Sequence, residues 1–342
     1  MAFPTSLPAP TNTPLRGGPT VRWGILAPGG IAGSWAATVT ANTDQPIVAV
    51  ASRSLERAQA FAAEHGIARA YGGYEQLVAD PEVDAVYIAA PHSEHLPLGL
   101  LAIAAGKHVL IEKPIALNSE QARELVDAAR AAGVFAMEAM WSRFLPQTTI
   151  AAQLLHDGVL GDIKTVSADF GALFDYDPNG RWFNPLLGGG ALLDIGVYPA
   201  WFAHFALGAP ARVTARGSFA PTGVDAQSAV TLQYESDALA SVTMSMWATS
   251  SQSASINGTD ARLEIPGQFF IPGSLRLTSA SGDALEWTDT SGVSGSGGLA
   301  YQATAVAAHI ADGLTESPLH SLADTLAIMM VLDEARVQLD SQ

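Results

Sequence analysis

Val21-Arg22-Trp23-Gly24-Ile25-Leu26-Ala27-Pro28-Gly29-Gly30-Ile31-Ala32 reads as an apolar strand, a glycine turn and a helix start, the local pattern of a dinucleotide site at the head of a doubly wound sheet. A helix that opens on Gly29, Gly30 and Ile31 presents backbone N–H groups and the positive end of its dipole to a pyrophosphate. Ala27 stands where such turns usually begin with glycine, so the geometry of the loop is the open point. Working outward, strand and helix signals alternate. Strands are expected at Arg22 to Leu26, Ile47 to Ala51, Arg69 to Tyr71, Ala85 to Ala89, His108 to Glu112 and Phe135 to Glu138. Helices lie between them, one closed by Gly66 and another started by Asn118 or Ser119. This is a parallel sheet covered on both faces, a complete Rossmann-type α/β domain over residues 21–143.

The chain has 342 residues, 48% of them hydrophobic and 15% charged, enough for two cores. A formal net charge of −16 excludes a nucleic-acid partner, which needs clustered Lys and Arg. With no cysteine, thiolate metal sites and a cysteine nucleophile drop out. Residues 1–20 are rich in Pro, Thr and Gly and read as a flexible leader. No apolar run approaches the ~20 residues of a membrane span, so a soluble, cytoplasmic protein with no membrane partner is expected.

Residues 144–342 read as a second α/β domain. A helix is expected over Pro146 to Asp157, a strand over Lys164 to Phe170, and a helix over Ala191 to Leu207. Segments of period two follow from Arg212 to Thr278, the mark of a large, open, mostly antiparallel sheet. Its outer face, with Thr, Ser, Met244, Met246 and Trp247, suits a second copy of the chain, so a homo-oligomer, dimer or tetramer, is expected. Leu322 to Leu339 reads as a final amphipathic helix.

Several residues could carry chemistry. Ser52 and Arg53 end the second strand, with Arg57 one turn on, where a carboxylate would bind the ribose of NAD. A serine and arginine pair suits a 2′-phosphate instead, so NADP is expected, with NAD possible; Ser54 capping towards Arg57 is the plainer alternative. Pro91, His92 and His95 follow the fourth strand at the switch point; the histidines fit loop and cap roles, and no metal is expected. Gly106-Lys107-His108-Val109-Leu110-Ile111-Glu112-Lys113-Pro114 delivers an acid and an amine into a proline turn. In Gly188-Gly189-Gly190-Ala191-Leu192-Leu193-Asp194-Ile195-Gly196-Val197-Tyr198, Asp194 and Tyr198 are spaced for one helix face behind a glycine-rich start open to a ligand. A phenol with a pKa of ~10 needs a nearby ammonium to act as a base, and Lys113 could supply one.

The segments 106–114 and 188–198 resemble the glucose-fructose oxidoreductase / inositol dehydrogenase (Gfo/Idh/MocA) family. Met137-Glu138-Ala139-Met140-Trp141-Ser142-Arg143-Phe144 and the tyrosine at 198 are similar to the branch holding dimeric dihydrodiol dehydrogenases and NADP-dependent D-xylose 1-dehydrogenases. The resemblance implies hydride transfer to NAD(P), Glu112 and Lys113 beside the nicotinamide, Lys113 and Tyr198 as the catalytic pair, and Asp194 positioning substrate or Tyr198. It also makes Arg181 a cofactor contact and Trp182 a substrate contact. Trp141, Phe144, Phe174 and Asp175 are further candidates for the substrate wall.

The expected function is therefore NADP-dependent oxidation or reduction at a carbinol or carbonyl carbon of a sugar or cyclic polyol. Two alternatives stay open: a trans-dihydrodiol dehydrogenase or NADPH-dependent ketosugar or dicarbonyl reductase, and an NADP(H)-binding regulator without turnover.

Overall fold

The computed structural model describes residues 3–341. The chain divides into two compact units: one is formed by Asn12–Phe144 with Gly295–Leu326, the other by Leu145–Ser294 with the N-terminal stretch up to Thr11 and the chain from Ala327 onward.

The first unit holds β1 (Trp23–Leu26), α1 (Gly30–Asn42), β2 (Ile47–Ala51), α2 (Leu55–His65), β3 (Arg69–Tyr71), α3 (Tyr74–Val78), β4 (Ala85–Ile88), α4 (His95–Ala104), β5 (His108–Ile111), α5 (Ser119–Ala132) and β6 (Ala136–Glu138). Its six strands are all parallel, in the order β3-β2-β1-β4-β5-β6. The strand order reverses between β1 and β4, so the loops after these strands flank the crevice where a doubly wound sheet takes its ligand. Strands β1 and β4 are buried along their whole length, which is why they are unbroken apolar runs. Helix ends follow local chemistry. Asn118 accepts from the Gln121 N–H at 2.9 Å to start α5, and Gly66, at φ +68°, closes α2.

The second unit contains α6 (Pro146–His156), β7 (Ile163–Gly171), α7 (Ala191–Asp194), α8 (Val197–Leu207), β8 (Arg212–Phe219), β9 (Asp225–Gln233), β10 (Leu239–Ser245), β11 (Ala254–Gly258), β12 (Ala261–Ile265), β13 (Ser274–Ser279) and β14 (Ala284–Thr288). The sheet order is β14-β13-β12-β11-β7-β10-β9-β8, with β7 and β10 parallel and the other pairs antiparallel. One face buries Val166, Ala168, Val230, Leu232, Val242 and Ile256. The other exposes Thr165, Ser167, Thr231, Ser241 and Thr243.

Several sequence expectations are corrected. Met244 and Met246 lie on the covered side, buried to 3% and 0%, while Trp247 remains 39% exposed; alternation across β10 puts Met244 with Val242, opposite Thr243. The expected helix from Ala191 to Leu207 is two, bent by 46° where the chain breaks after Asp194. Strand β14 and α9 (Leu299–Ala311) were not expected. Helix α9 packs on α1 inside the first unit, so residues 295–326 belong with the nucleotide fold and not with the domain drawn over 144–342. Helix α10 (Leu322–Asp340) starts in the first unit and continues into the second.

The stretch read as a flexible leader is tied down within the described residues; Met1 and Ala2 lie outside them. Gly17 N donates to Asp44 Oδ2 at 2.7 Å, Gln45 Nε2 to the Pro19 carbonyl at 2.8 Å and Thr11 N to Thr149 Oγ1 at 3.0 Å. Its composition shows no hydrophobic period, but its backbone groups find fixed side-chain partners.

Candidate functional site

In the first unit the glycine turn is built as its sequence suggests, with one cost. Ala27 adopts φ +64°, the left-handed conformation usually left to glycine, and its N–H donates to the Ala51 carbonyl at 3.0 Å. Gly29 precedes α1 with no side-chain cap. A Cβ at Gly30 would meet nothing within 4 Å, and one at Gly29 would only just reach the Ala27 carbonyl at 4.0 Å. The fold's own packing does not require glycine at either position, whereas close approach of a pyrophosphate to the backbone does. The turn therefore fits a dinucleotide.

At the end of β2, Ser52 is buried, and Arg53 and Arg57 are exposed. The N-cap reading also holds, since Arg57 N donates to Ser54 Oγ at 3.3 Å; it uses the backbone of Arg57 and leaves the guanidinium outside. Tyr74, at the start of α3, was missed by sequence reading. Burial raises its phenol pKa, while Arg53 and Arg57 pull it down and Glu94 pushes it up, so these three charged groups surround it. The signal available was Gly72-Gly73-Tyr74 directly after a strand.

Glu112 is 6% exposed. Its Oε1 accepts from the Tyr87 hydroxyl at 2.5 Å and its Oε2 from the Lys113 N–H at 3.2 Å. Tyr87 stacks on Trp35, with centroids 4.4 Å apart, and Trp35 meets Trp23 edge-on at 5.2 Å. An aromatic column thus fixes the carboxylate beside Lys113.

His95, expected at the cofactor, has both ring nitrogens engaged within the protein. It is completely buried, with Nδ1 2.8 Å from the Pro114 carbonyl and Nε2 2.9 Å from the Ala90 carbonyl. Both ring nitrogens serve the loops, and burial holds its pKa below the usual imidazole value against the pull of the two carbonyls. His92, 6% exposed, packs edge-on to it at 5.6 Å; Pro91 precedes them. No group of three or more potential metal ligands occurs among the described residues. Trp141 and Phe144, expected on a substrate wall, are 7% and 3% exposed in the first unit.

In the second unit, Tyr198 is 7% exposed. Its ring lies 5.6 Å from Phe170 and 5.2 Å from Phe270, which stack on each other at 4.2 Å with planes 5° apart. Phe270, on a loop, was not expected here. Asp194, 4% exposed, pairs with Arg181 at 3.1 Å. The Arg181 guanidinium lies 5.4 Å from the centroid of the Trp182 ring, and Phe174 meets Trp182 edge-on at 4.6 Å. Arg181, Trp182, Phe174 and Asp194 are thus brought together, and Asp175 is exposed nearby in sequence. Arg181 was expected at a cofactor; here its partner is Asp194.

Gly189 and Gly190 of the run 188–190 are required by the chain's own packing. A Cβ at Gly189 would sit 2.6 Å from the Trp182 carbonyl, and one at Gly190, φ +128°, would sit 2.4 Å from Asp225 Oδ1. These glycines admit the chain's own atoms. Asp225, unforeseen, accepts from the Leu192 N–H at 2.6 Å and so holds the start of α7; burial pushes its pKa up to about 6. Gly196 permits the bend after Asp194, because a Cβ there would meet the Leu192 carbonyl at 2.7 Å.

A six-stranded parallel sheet with a ligand-ready glycine turn at its switch point defines a nicotinamide-dinucleotide oxidoreductase fold. Residues 21–140 match the oxidoreductase family with NAD-binding Rossmann fold, and residues 148–264 match the GFO/IDH/MocA C-terminal domain. The chain belongs to the Gfo/Idh/MocA family of NAD(P)-binding oxidoreductases. It is 38% identical over 324 residues to trans-1,2-dihydrobenzene-1,2-diol dehydrogenase of Xenopus laevis, covering 93% of this chain and 98% of that one. A levoglucosan dehydrogenase in complex with NADH and levoglucosan shares the fold at a TM-score of 0.85 and 21% identity, with 94% and 98% of the two chains covered. A 3-ketoreductase from Actinomadura kijaniata, in complex with TDP-benzene and NADP, superposes at a TM-score of 0.78 with 28% identity over the same shares. Among the described residues no single helix is long and apolar enough to cross a membrane.

Proposed function

We propose that the protein is an NADP-dependent dehydrogenase acting on a carbinol of a small six-membered ring, a sugar or a cyclic vicinal diol. The observation that carries this reading is the setting of Tyr198, a phenol against the Phe170–Phe270 stack with the Asp194–Arg181 pair four residues before it. Apolar rings suit the C–H face of a ring substrate, and a carboxylate suits its hydroxyls. The names of the relatives, a dihydrodiol dehydrogenase and sugar-acting enzymes, support the same chemistry.

The bound nicotinamide supplies the hydride acceptor or donor. Gly29, Gly30 and Ile31 receive the pyrophosphate on backbone N–H groups. Ser52, Arg53, Arg57 and Tyr74 take the 2′-phosphate, which would explain the absence of a carboxylate at the end of β2. Tyr198 removes the hydroxyl proton in oxidation and returns it in reduction. Lys113 acts in the reaction as the cation at the end of β5, and Glu112, held by Tyr87, fixes the strand end beside it. Asp194 accepts from a neighbouring substrate hydroxyl, with Arg181 paired to it at 3.1 Å.

The Thr- and Ser-lined sheet face is proposed to pair with a second copy. A charge introduced there, Thr243→Glu, should lower the mass measured by sedimentation; an unchanged mass would remove this surface from the assembly.

The test of function is absorbance at 340 nm with NADP or NAD against aldoses, inositols and trans-dihydrodiols, then with NADPH and the matching carbonyl compounds. Turnover that prefers NADP and is lost in Tyr198→Phe supports the reading; turnover retained in Tyr198→Phe refutes the proton-transfer role.

A further inference from the structure

Glu138 has no part in the scheme above, yet it is 1% exposed and fully engaged within the first unit. Its Oε2 accepts from His320 Nε2 and from Thr325 Oγ1, both at 3.0 Å, and its Oε1 accepts from the Ile115 N–H at 3.0 Å. The third group of this cluster lies close too, with Thr325 Oγ1 3.1 Å from His320 Nε2.

Ile115 follows Lys113 by two residues, and the turn between them is gripped along its backbone. The Lys113 N–H goes to Glu112 Oε2 at 3.2 Å, the Pro114 carbonyl to His95 Nδ1 at 2.8 Å, and the Ile115 N–H to Glu138. Pro114 has no N–H to offer. Three polar groups of one short turn are thus held by buried ionisable side chains and not by backbone partners. Burying a carboxylate and an imidazole together is costly unless geometry is gained.

We propose that Glu138 is a positioning residue for Lys113: aimed by His320 and Thr325, its carboxylate holds the Ile115 N–H and thereby fixes the turn that carries the Lys113 ammonium. Residues 295–326, which supply His320 and Thr325, then support the turn that carries Lys113. This rests on Lys113 being catalytic, as proposed above.

The test is a double-mutant cycle in the full-length protein, with Glu138→Ala, Lys113→Met and the double variant. It is followed by NADP-linked oxidation of D-xylose or trans-benzene dihydrodiol and by NADPH binding. Glu138→Ala should lower kcat about tenfold, ~1.4 kcal/mol of barrier, with KM nearly unchanged. In the Lys113→Met background it should cost less than about twofold. Glu138→Gln, which keeps an acceptor for Ile115, should restore most of the rate. Equal losses in both backgrounds, or no loss in Glu138→Ala, overturn the proposal. Full turnover in Lys113→Met instead overturns the functional reading beneath it.

A readout that needs no substrate is the rate at which trinitrobenzenesulfonate modifies Lys113, followed by peptide mass spectrometry with Lys164 as the internal control. Glu138→Ala should change the Lys113 rate severalfold and leave Lys164 unchanged; unchanged Lys113 reactivity overturns the proposal. If Glu138→Ala does not fold, His320→Gln passes through the same measurements, with a smaller effect expected in the same direction.

Discussion

Replacing Ala27 by glycine should stabilise the protein, although most substitutions in a folded chain destabilise it. Ala27 sits at φ +64°, where an L-residue with a Cβ carries ~1–2 kcal/mol of strain. It also precedes Pro28, and proline further restricts the residue before it. Glycine relieves the strain but gives back ~0.5–1 kcal/mol through the greater freedom of the unfolded chain. The net gain should be about 0.5–1 kcal/mol, or roughly 1–4 °C in Tm for a unit of this size. Ala27→Val is the control in the opposite direction, because a β-branched side chain tolerates positive φ least; a loss of ~1 kcal/mol or more is expected. Urea melts of the apo-protein, followed by Trp fluorescence, measure both, since Trp23 and Trp35 lie in the same unit's core. A neutral or destabilising Ala27→Gly, or an Ala27→Val as stable as the parent, would refute the strain assigned to this turn.

Tyr198→Phe and Lys113→Met should each reduce turnover by ~10²-fold or more while NADPH still binds, as fluorescence titration would show. Arg53→Asp should weaken NADP far more than NAD; equal weakening in titrations of the two cofactors would mean that Arg53 does not meet the 2′-phosphate. Asp225, whose pKa is pushed up to about 6 when folded from ~3.9 when unfolded, favours the folded state at low pH and loses that contribution as pH rises through about 6. The stability of Asp225→Asn relative to the parent should therefore increase between about pH 4 and 6, and parallel curves from melts at each pH would refute the assignment.

The nucleotide fold was legible because its strands are buried on both faces, so Ile25-Leu26 and Val109-Leu110-Ile111 announce themselves as apolar runs between helices. Helix α9 was hidden for the related reason that Leu299 to Ala307 is buried on every side, leaving no polar stripe to give a period. The i, i+4 spacing of Asp194 and Tyr198 suggested one helix; the bend depends on Gly196 and on a backbone contact that spacing does not encode. The strand-end residues Glu112 and Lys113 could be found locally. Their supports could not, because Tyr87 and His320 come from distant segments and only folding brings them to the turn.

The return of residues 295–326 to the first unit has a consequence for synthesis. On the ribosome, all six strands of the nucleotide sheet emerge while α9 and His320 are still untranslated, separated from them by the whole span 145–294. The side of α1 that α9 will cover, and Glu138 that His320 will meet, must wait for that span to be translated. A nascent chain arrested before residue 295 should therefore hold a sheet with an exposed flank, and chaperones that recognise apolar helix faces would find their target there.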